Sequence, residues 1–444
     1  MEFDAFVSAL FERARAAGIE SAEVYYASGD SLRVFVRGQK IEDYTVSARA
    51  GLSFRGVVAG RMGYASTEAL DEAAIDLLVA GVKETAALID SDDVQDIFPG
   101  SPSYEAVAAS NASAKSVPVQ SLIDRAMSME QAMVGEGIQV DRSVMQLASG
   151  TVRLVNTYGL SLSHTDGAVY AMAELVARRG ERTSDGYAME WAPDLERLDT
   201  QAVARRAVED ARFMLDAGSI PSGEYEVIFR REAVADLLET FSGIFSAENT
   251  QRHLSLLEGR VGETIASPCV TLVDDPLLPG GPESCPFDAE GVAAYTKSVV
   301  EGGVLKTLLH NRSTARKDGV ASTGNASKAS YSAPVRVSPT NFFLKPGEKS
   351  LEALLQEMGD GLVITEISGL HAGANPLSGD FSLLSKGYLV QAGKRAQPVE
   401  QITVAGNFYQ LLKGIRAVAN DLKFLSGGAG GTSIWAGSMS VAGK

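Results

Sequence analysis

The chain has 444 residues, 45% of them hydrophobic and 22% charged, which is too long for one domain of about 150 residues and predicts two or three. Its formal net charge of −16 argues against nucleic acid as a direct partner, because binding a phosphate backbone requires clustered Lys and Arg. The sequence has no run of about 18 consecutive apolar residues, so we expect no membrane association and a cytoplasmic protein. Its two cysteines, Cys269 and Cys285, are expected to be buried thiols in a reducing cytosol.

The first 90 residues carry the pattern of a helix, a sheet and a second helix. Apolar residues recur at helical spacing over residues 3–14 and again over residues 70–82. Between them, residues 22–64 switch to short alternating runs separated by Gly-containing breaks, which is typical of strands in a meander. We therefore predict an N-terminal two-layer α+β domain over residues 1–90.

A second unit follows a surface connection. Residues 91–117 are rich in Asp, Ser, Pro and Ala without periodicity, which predicts a linker. Residues 118–222 then repeat the order helix, strands, helix, and we predict a central α+β segment there. The expected elements are a helix that begins near residue 119, strands at 138–147, 151–156 and 168–177, and a helix at 200–215.

The remaining half, residues 223–444, is dominated by strands punctuated by glycine. A strand at 225–229 leads into a helix at 232–245, and further helices are expected at 351–358 and 408–419. The predicted fold class is therefore α+β, with N-terminal helix and sheet units followed by a larger strand-dominated C-terminal domain of mixed, curved sheets.

The histidine pattern does not favour a metal site in this chain. A zinc hydrolase holds imidazoles together with carboxylates or thiolates, often two of them one turn apart on a helix. The chain has four histidines, and neither H-E-x-x-H nor H-E-x-x-x-H occurs. They are His164, His253, His310 and His371. Four scattered histidines favour separate packing or surface roles, so we predict no metal ligand here.

Other chemistries find little support. The sequence contains no G-x-S-x-G motif, and Cys285 beside a proline is more typical of a packed thiol than of a nucleophile. The glycines at 427–431 precede no lysine, as a phosphate-binding loop would require. Asp274, Asp275 and Asp288 flank a Pro/Gly-rich loop, where we favour capping of turns and leave acid–base chemistry open.

Several irregular strings after residue 224 resemble, in their shared order, the TldD/PmbA family, also called modulators of DNA gyrase. They are DDP and LPGG in 274–281, PFD and EGV in 286–292, GVLK in 303–306, TARK in 314–317, STGNA in 322–326, GLHAGAN and SGDFS in 369–382, AGN in 405–407 and MSVAG in 439–443. The resemblance extends more faintly to residues 55–66 and 156–159, so it spans nearly the whole chain.

The resemblance implies the metal-free subunit of a metallopeptidase. In this family the TldD-like subunit is the zinc peptidase, with an H-E-x-x-x-H helix soon after a C-terminal-domain strand and a further cysteine ligand near the C-terminus. The equivalent helix here, 230–239, contains no histidine, and the region before Ile434 contains only glycine-rich sequence. The chain is therefore similar to TldE/PmbA-like subunits, with no catalytic residue and no cofactor of its own; zinc is expected in the partner.

By resemblance, the expected partners are a TldD-like peptidase subunit, forming a heterodimer, and unfolded peptides that the complex processes or degrades. Without that subunit, pairing of the chain with itself is expected. Residues 371–382, and two asparagines elsewhere, are candidates for lining the peptide cavity, because a glycine-rich backbone allows close approach. The predicted substrate-binding residues are His371, Asn375, Gly379, Asp380, Phe381, Asn325 and Asn407. An equally weighted alternative is that Asn325, Asn375, Gly379, Asp380 and Asn407 only form tight turns.

Two other functions stay open at the level of sequence. One is an independent peptidase with a non-standard site, for which Asp275, Asp288, His371 and Asp380 are the candidate residues. The other is a binding protein that modulates DNA gyrase, which rests on the family's alternative name alone.

Overall fold

The computed structural model describes residues 1–88, 96–108, 117–425 and 427–444. Its first sheet has six antiparallel strands in the order β3-β2-β1-β4-β5-β6. The strands are β1 (Ser21–Arg37), β2 (Lys40–Val58), β3 (Arg61–Thr67), β4 (Ile138–Asn156), β5 (Ser161–Arg179) and β6 (Arg182–Ala192). Because β1 pairs with both β2 and β4, the N-terminal and central segments share one sheet.

Four helices cover this sheet: α1 (Phe3–Ala16), α2 (Glu72–Leu88), α3 (Val119–Met133) and α4 (Thr200–Met214). Helices α1 and α2 bury an apolar face against the first half of β1, and α3 and α4 bury theirs against its second half and against β5. The side chains of Phe6, Leu10 and Leu78 are fully buried in the first of these cores. Amphipathic spacing therefore places each helix on the sheet.

The C-terminal half contains two further six-stranded sheets and a two-stranded ladder. One sheet runs β10-β9-β8-β13-β19-β18, and the ladder pairs β11 with β12. Their bounds are β8 (Leu272–Asp274), β9 (Lys297–Glu301), β10 (Val304–Leu305), β11 (Ala326–Ser327), β12 (Arg336–Val337), β13 (Phe342–Leu344), β18 (Lys423–Phe424) and β19 (Ala429–Gly431). The β13–β19 pair is parallel, so this sheet is mixed.

The third sheet runs β16-β15-β14-β7-β20-β17 and curves until β16 also pairs with β20. Its strands are β7 (Gly223–Phe229), β14 (Gly361–Ser368), β15 (Asp380–Gln391), β16 (Lys394–Asn407), β17 (Ala417–Val418) and β20 (Ile434–Ala442). The β7–β14 pair is parallel and the others are antiparallel. The helices of this half are α5 (Arg231–Phe241), α6 (Ala247–Gln251), α7 (Arg312–Asp318), α8 (Leu351–Met358), α9 (Leu370–Gly373) and α10 (Phe408–Gly414).

The predicted α+β class is confirmed, with curved, mixed sheets in the strand-rich C-terminal part. The predicted helix at 408–419 is wrong in length, since α10 ends at Gly414 and residues 417–418 pair with β20 instead. The runs at 138–147 and 151–156 are one strand, β4, and β6 was not predicted. The domain boundaries stay predictions, and residues 91–95 and 109–116 of the expected linker lie outside the described part.

Both cysteines were predicted to be buried thiols, and this is wrong for Cys269. Cys269 is exposed and Cys285 is half-buried, and both thiols are free. Burial nevertheless raises the pKa of the Cys285 thiol to about 12, so it is protonated at neutral pH and a poor nucleophile.

None of the helices in the described ranges combines the length and the apolar character that crossing a bilayer needs.

A candidate site along helix α5

Helix α5 lies at the meeting point of the sheets. It follows β7 directly, and its apolar face packs into the main C-terminal core, where Phe241 stacks on Phe408 with 4.6 Å between ring centres. At its first turn the backbone of β19 comes close: a Cβ on Gly431 would lie 1.7 Å from the carbonyl oxygen of Arg231. Only glycine fits at this contact, which explains part of the glycine-rich sequence before Ile434.

The polar face of α5 lines a cleft of about 670 Å³. Glu232, Asp236 and Glu239 recur at spacings of four and three, which places them on one side of the helix. The opposite walls are formed by β6 of the first sheet, by helix α4, which covers that sheet, and by β14 and β15 of the third sheet. The cleft therefore lies between the central segment and the C-terminal half.

Glu232 is held by two guanidinium groups. Arg230 Nε lies 2.7 Å from one carboxylate oxygen, and Arg231 Nε lies 3.4 Å from the other. Burial by itself raises the pKa of Glu232, but the nearby charges of Arg230 and Arg231 outweigh burial and lower it. Glu232 is thus a fixed anion in an ion-pair cluster, and it is not poised to accept a proton as a general base.

Asp236 has the opposite environment. Its burial, followed by the negative charges of Glu239, Glu366 and Glu232, raises its pKa to about 6. Burial is also the main cause that raises the pKa of Asp210 on the facing helix α4. A raised carboxyl pKa in a cleft marks a group that exchanges a proton near neutral pH.

An aromatic and cationic corner closes the same cleft. The guanidinium carbon of Arg395 lies 3.4 Å from the ring centre of Phe213 and 4.9 Å from that of Tyr388. Stacking on aromatic rings holds a guanidinium without a carboxylate partner. The sequence analysis missed these residues, because they come from α4, β15 and β16 and no local pattern links them.

His371 is brought to this site. Together with Asp236 and Glu239 of α5, it lines a hollow of about 370 Å³ that adjoins the main cleft. The short helix α9 carries His371 past the end of β14. Of the seven predicted substrate-binding residues, His371 is the one on the lining of this cleft or hollow.

The other predicted residues of this region form a turn. Asn407 Nδ2 donates to the carbonyl oxygen of Ser378 and to Asp380 Oδ1, both at 2.8 Å, and its side-chain oxygen caps α10. The side chain of Asn375 accepts from the backbone of residues 377 and 378, and Gly379 has a positive φ of 81°. These contacts match the tight-turn alternative; substrate binding stays a prediction.

Phe381 and Asn325 lie in the interior. Phe381 is 3% exposed in the main core. Asn325 is 1% exposed and donates to Asp274 Oδ2 at 2.7 Å, and Lys297 Nζ forms a 2.9 Å ion pair with the same oxygen. Neither side chain reaches the α5 cleft, so contact with a substrate there would require the core to open.

The candidate residues of the alternative hydrolase site are not brought together. Asp288 accepts hydrogen bonds from the backbone of residues 290, 292 and 326, at 2.9–3.0 Å, and Asp275 accepts from Thr296 and from the backbone of Leu277. Both therefore cap turns in their own loop, while His371 lies by α5. Across the described ranges, no three His, Cys, Asp or Glu side chains meet as metal ligands would.

Models of a known protein family match three consecutive segments of the chain. Three models match in order: PmbA/TldA metallopeptidase domain 1 over residues 22–86, the central domain over 112–215 and the C-terminal domain over 222–443. The chain therefore belongs to the PmbA/TldD metallopeptidase family. Among its relatives are a metalloprotease from Methanothermobacter thermautotrophicus (27% identical, 91% of this chain and 89% of the relative covered) and a metalloprotease PmbA homolog from Haemophilus influenzae (26%, 95% and 92%).

Solved structures with the same fold cover both chains almost completely. One, described as a modulator of a DNA gyrase from Thermotoga maritima, is 33% identical with a TM-score of 0.92 over 99% of this chain and 100% of its own. Another, TldE from Thermococcus kodakarensis, has a TM-score of 0.90 over 99% and 100%, at 22% identity. At that lower identity the likeness concerns the fold.

Proposed function

We propose that this protein is the non-catalytic, metal-free subunit of a TldD/TldE-type metallopeptidase complex, which acts in the cytoplasm on unfolded peptides. The observation that carries the proposal is the composition of the α5 cleft. In the peptidase subunit of the family, one metal-ligand source is an H-E-x-x-x-H helix after a C-terminal-domain strand. Aligned by its glutamate, that pattern falls here on Arg231, Glu232 and Asp236.

These three residues support the proposal by their chemistry. A guanidinium stays protonated and offers no lone pair to a metal. The carboxylate of Asp236 can ligate, and His371 lines the same hollow, but in the described ranges they do not form part of a three-ligand set such as zinc requires. Glu232, at the position of the glutamate, is neutralised by Arg230 and Arg231. The charges along this helix therefore support the proposal that the chain holds no zinc of its own.

The second ligand source of the family supports the same proposal. The cysteine of the peptidase subunit lies near the C-terminus, and the corresponding glycine-rich stretch here packs on the first turn of α5 through Gly431. The two regions thus meet, and residues 427–431 contain neither cysteine nor histidine. On this view the cleft forms part of the wall around a peptide that the partner cleaves.

The test is metal content and peptide cleavage, measured on the purified chain alone and after mixing with a TldD-like subunit. We expect no stoichiometric zinc and no cleavage by the chain alone, and cleavage by the mixture. In the mixture, Arg231→Ala and Asp236→Ala should leave zinc content unchanged. Stoichiometric zinc and cleavage by the chain alone, lost in both variants, would overturn the proposal.

A further inference from the structure

A second cleft, of about 740 Å³, lies between β2 and β3 of the first sheet and helices α6 and α7 of the C-terminal half. Its described lining carries six Arg and Lys side chains and three Asp and Glu side chains. In a chain of net charge −16, this is a local reversal of sign. Such a concave, positively charged surface concentrates anions.

The floor of this cleft is a buried ion cluster. Arg55 on β2 lies opposite Glu23 on β1, and its Nη2 is 2.7 Å from Glu23 Oε1. Its Nη1 lies 3.7 Å from Glu290 Oε1 of the C-terminal half. All three side chains are buried, at 9%, 1% and 7% exposure. Two carboxylates face the one guanidinium of Arg55, which therefore has little charge left to attract a further anion. Glu23 also attracts the nearby Lys328.

Lys328 is the cation beside this cluster. Its Nζ donates to Ser53 Oγ at 2.8 Å and lies 4.9 Å above the ring centre of Tyr25. Within the described ranges, no Asp or Glu oxygen forms an ion pair with it. Burial, followed by the repulsion of Arg55, lowers the pKa of Lys328 to about 8, with Glu23 opposing. Even so, the amine is mostly protonated at pH 7, so a half-buried positive charge stands in the cleft. Glu23 attracts this charge without forming a direct ion pair with it.

We propose that this cleft is a second ligand site, in which Lys328 binds an oxyanion: the terminal carboxylate of a peptide or a free phosphate. An ammonium and an oxyanion form a charge-assisted hydrogen bond, and both lose less to desolvation when paired. Ser53 orients the amine, and the Tyr25 ring excludes water from one side. The site goes beyond the proposed function, since none of its lining residues belongs to the α5 cleft.

The experiment is isothermal titration of the full chain, without partner or metal, at pH 7. The probes are inorganic phosphate, N-acetyl-tetraalanine with a free carboxylate, and the same peptide with an amidated C-terminus. The variant is Lys328→Gln, which keeps a donor for Ser53 and removes the charge. The matched control is Lys394→Gln, an exposed lysine at a hairpin turn far along the chain. Circular dichroism verifies that both variants are folded.

We expect Lys328→Gln to weaken oxyanion binding by about tenfold or more and Lys394→Gln to leave it unchanged. Binding of the free but not the amidated peptide would identify a carboxylate as the ligand, and binding of phosphate alone would identify phosphate. Absence of binding by phosphate and by the free peptide at millimolar concentration would overturn the proposal, as would equal affinity in Lys328→Gln and wild type. These outcomes leave metal content and cleavage untouched, so failure here is separable from failure of the proposed function.

If Lys328→Gln fails to fold, wild-type titration over pH supplies the second measurement. Arg55, Glu23 and Tyr25 face Lys328. Tyr25 and Arg55 keep their charge states up to about pH 10, because their pKa values are raised. Burial also raises the pKa of Glu23, and any proton that Glu23 loses over this range weakens oxyanion binding in the same direction. The affinity for the free peptide, whose carboxylate keeps a constant charge over this range, should therefore fall as pH rises from 7 to 9, as Lys328 loses its proton. An affinity that stays constant over this range would also overturn the proposal.

Discussion

Asn325, a predicted substrate-binding residue, lies in the interior, where its side chain donates a hydrogen bond to a buried carboxylate. Asp274 is fully buried, and its two oxygens accept from Lys297, Asn325 and Thr340. A buried carboxylate is stable only when each lone pair finds a donor. The sequence contained Asp274, Lys297 and Asn325, but they are too far apart for spacing to reveal that they meet.

Replacing Asn325 by Ala should therefore destabilise the fold. The change removes two hydrogen bonds from Asn325 Nδ2, to Asp274 and to the carbonyl oxygen of Ser338. We expect a loss of about 1–3 kcal/mol in the free energy of unfolding, because buried acceptors lose their donor. Urea denaturation measures it. Asn420→Ala, at an exposed position, should change stability by less than about 0.5 kcal/mol; equal effects would favour a role of Asn325 outside the core.

Asp236 should make the stability of the fold depend on pH. Its folded-state pKa of about 6 lies above the ordinary value near 4, so its contribution is favourable at low pH and is lost as pH rises through 6. The full shift corresponds to about 3 kcal/mol, and partial exposure reduces the expected effect to roughly 1 kcal/mol. Asp236→Asn should thus be more stable than wild type at pH 8 and equal to it at pH 4, in urea denaturation. A gain of the same size at both pH values would contradict the assignment.

At the scale of elements, the sequence correctly predicted those helices whose own apolar periodicity is strong. Helices α1, α3 and α4 have strong apolar periodicity, and their predicted positions are confirmed. The predicted helix 408–419 failed after Gly414, because residues 417 and 418 gain strand partners in β20, a contact that lies outside any local window. Strand β6 was missed because the residues that it buries, Gly186, Ala188 and Ala192, are small and give little apolar signal. The spacing of Glu232, Asp236 and Glu239 was visible in the sequence. His371 was predicted as a substrate-binding residue, but its position beside α5 was not, and Arg395 was not predicted.

Asn407 is the N-cap of α10, so a substitution there measures how much the cap stabilises this short helix. Its side-chain oxygen accepts from the backbone of Tyr409 and Gln410. Asn407→Ala should lower the free energy of unfolding by about 1 kcal/mol, because the first amides of the helix lose their acceptor. Asn407→Ser keeps a capping oxygen and should recover most of the loss. If alanine leaves stability unchanged but reduces peptide cleavage by the assembled complex, Asn407 serves the substrate instead.

At the scale of the whole molecule, the α5 cleft depends on how the first sheet meets the C-terminal half. Trp191 Nε1 on β6 donates to the carbonyl oxygen of Phe424 at 2.9 Å, and the neighbouring Glu190 binds Lys423 at 2.6 Å and Arg206 at 3.2 Å. These contacts join β6 to β18 beside the cleft. These contacts at β6 are polar, whereas elsewhere Leu154 packs with Phe287, and Phe213 packs against the cluster of Tyr388. We therefore expect the polar contacts at β6 to open before either core unfolds.

Glu190→Ala should loosen this junction by roughly 1 kcal/mol, since Lys423 and Arg206 lose their shared carboxylate. The chain has two tryptophans, and a Trp435→Phe background makes Trp191 the reporter. In that background, the urea midpoint from Trp191 emission should fall below the midpoint from circular dichroism. Glu209→Ala, on the exposed side of α4, should keep the two midpoints together; coincident midpoints in Glu190→Ala would mean that the two halves unfold as one unit.

The central place of β1 in the first sheet bears on how the protein is made. Glu23 lies between Arg55 of β2 on one side and Asn156 of β4 on the other. During synthesis, β2 emerges at once, whereas β4 emerges only after two helices and the intervening residues have been translated. Until then one edge of β1 has open hydrogen-bonding groups, which are a template for wrong strand pairing. The nascent chain therefore passes through an interval of aggregation risk that ends when β4 leaves the ribosome.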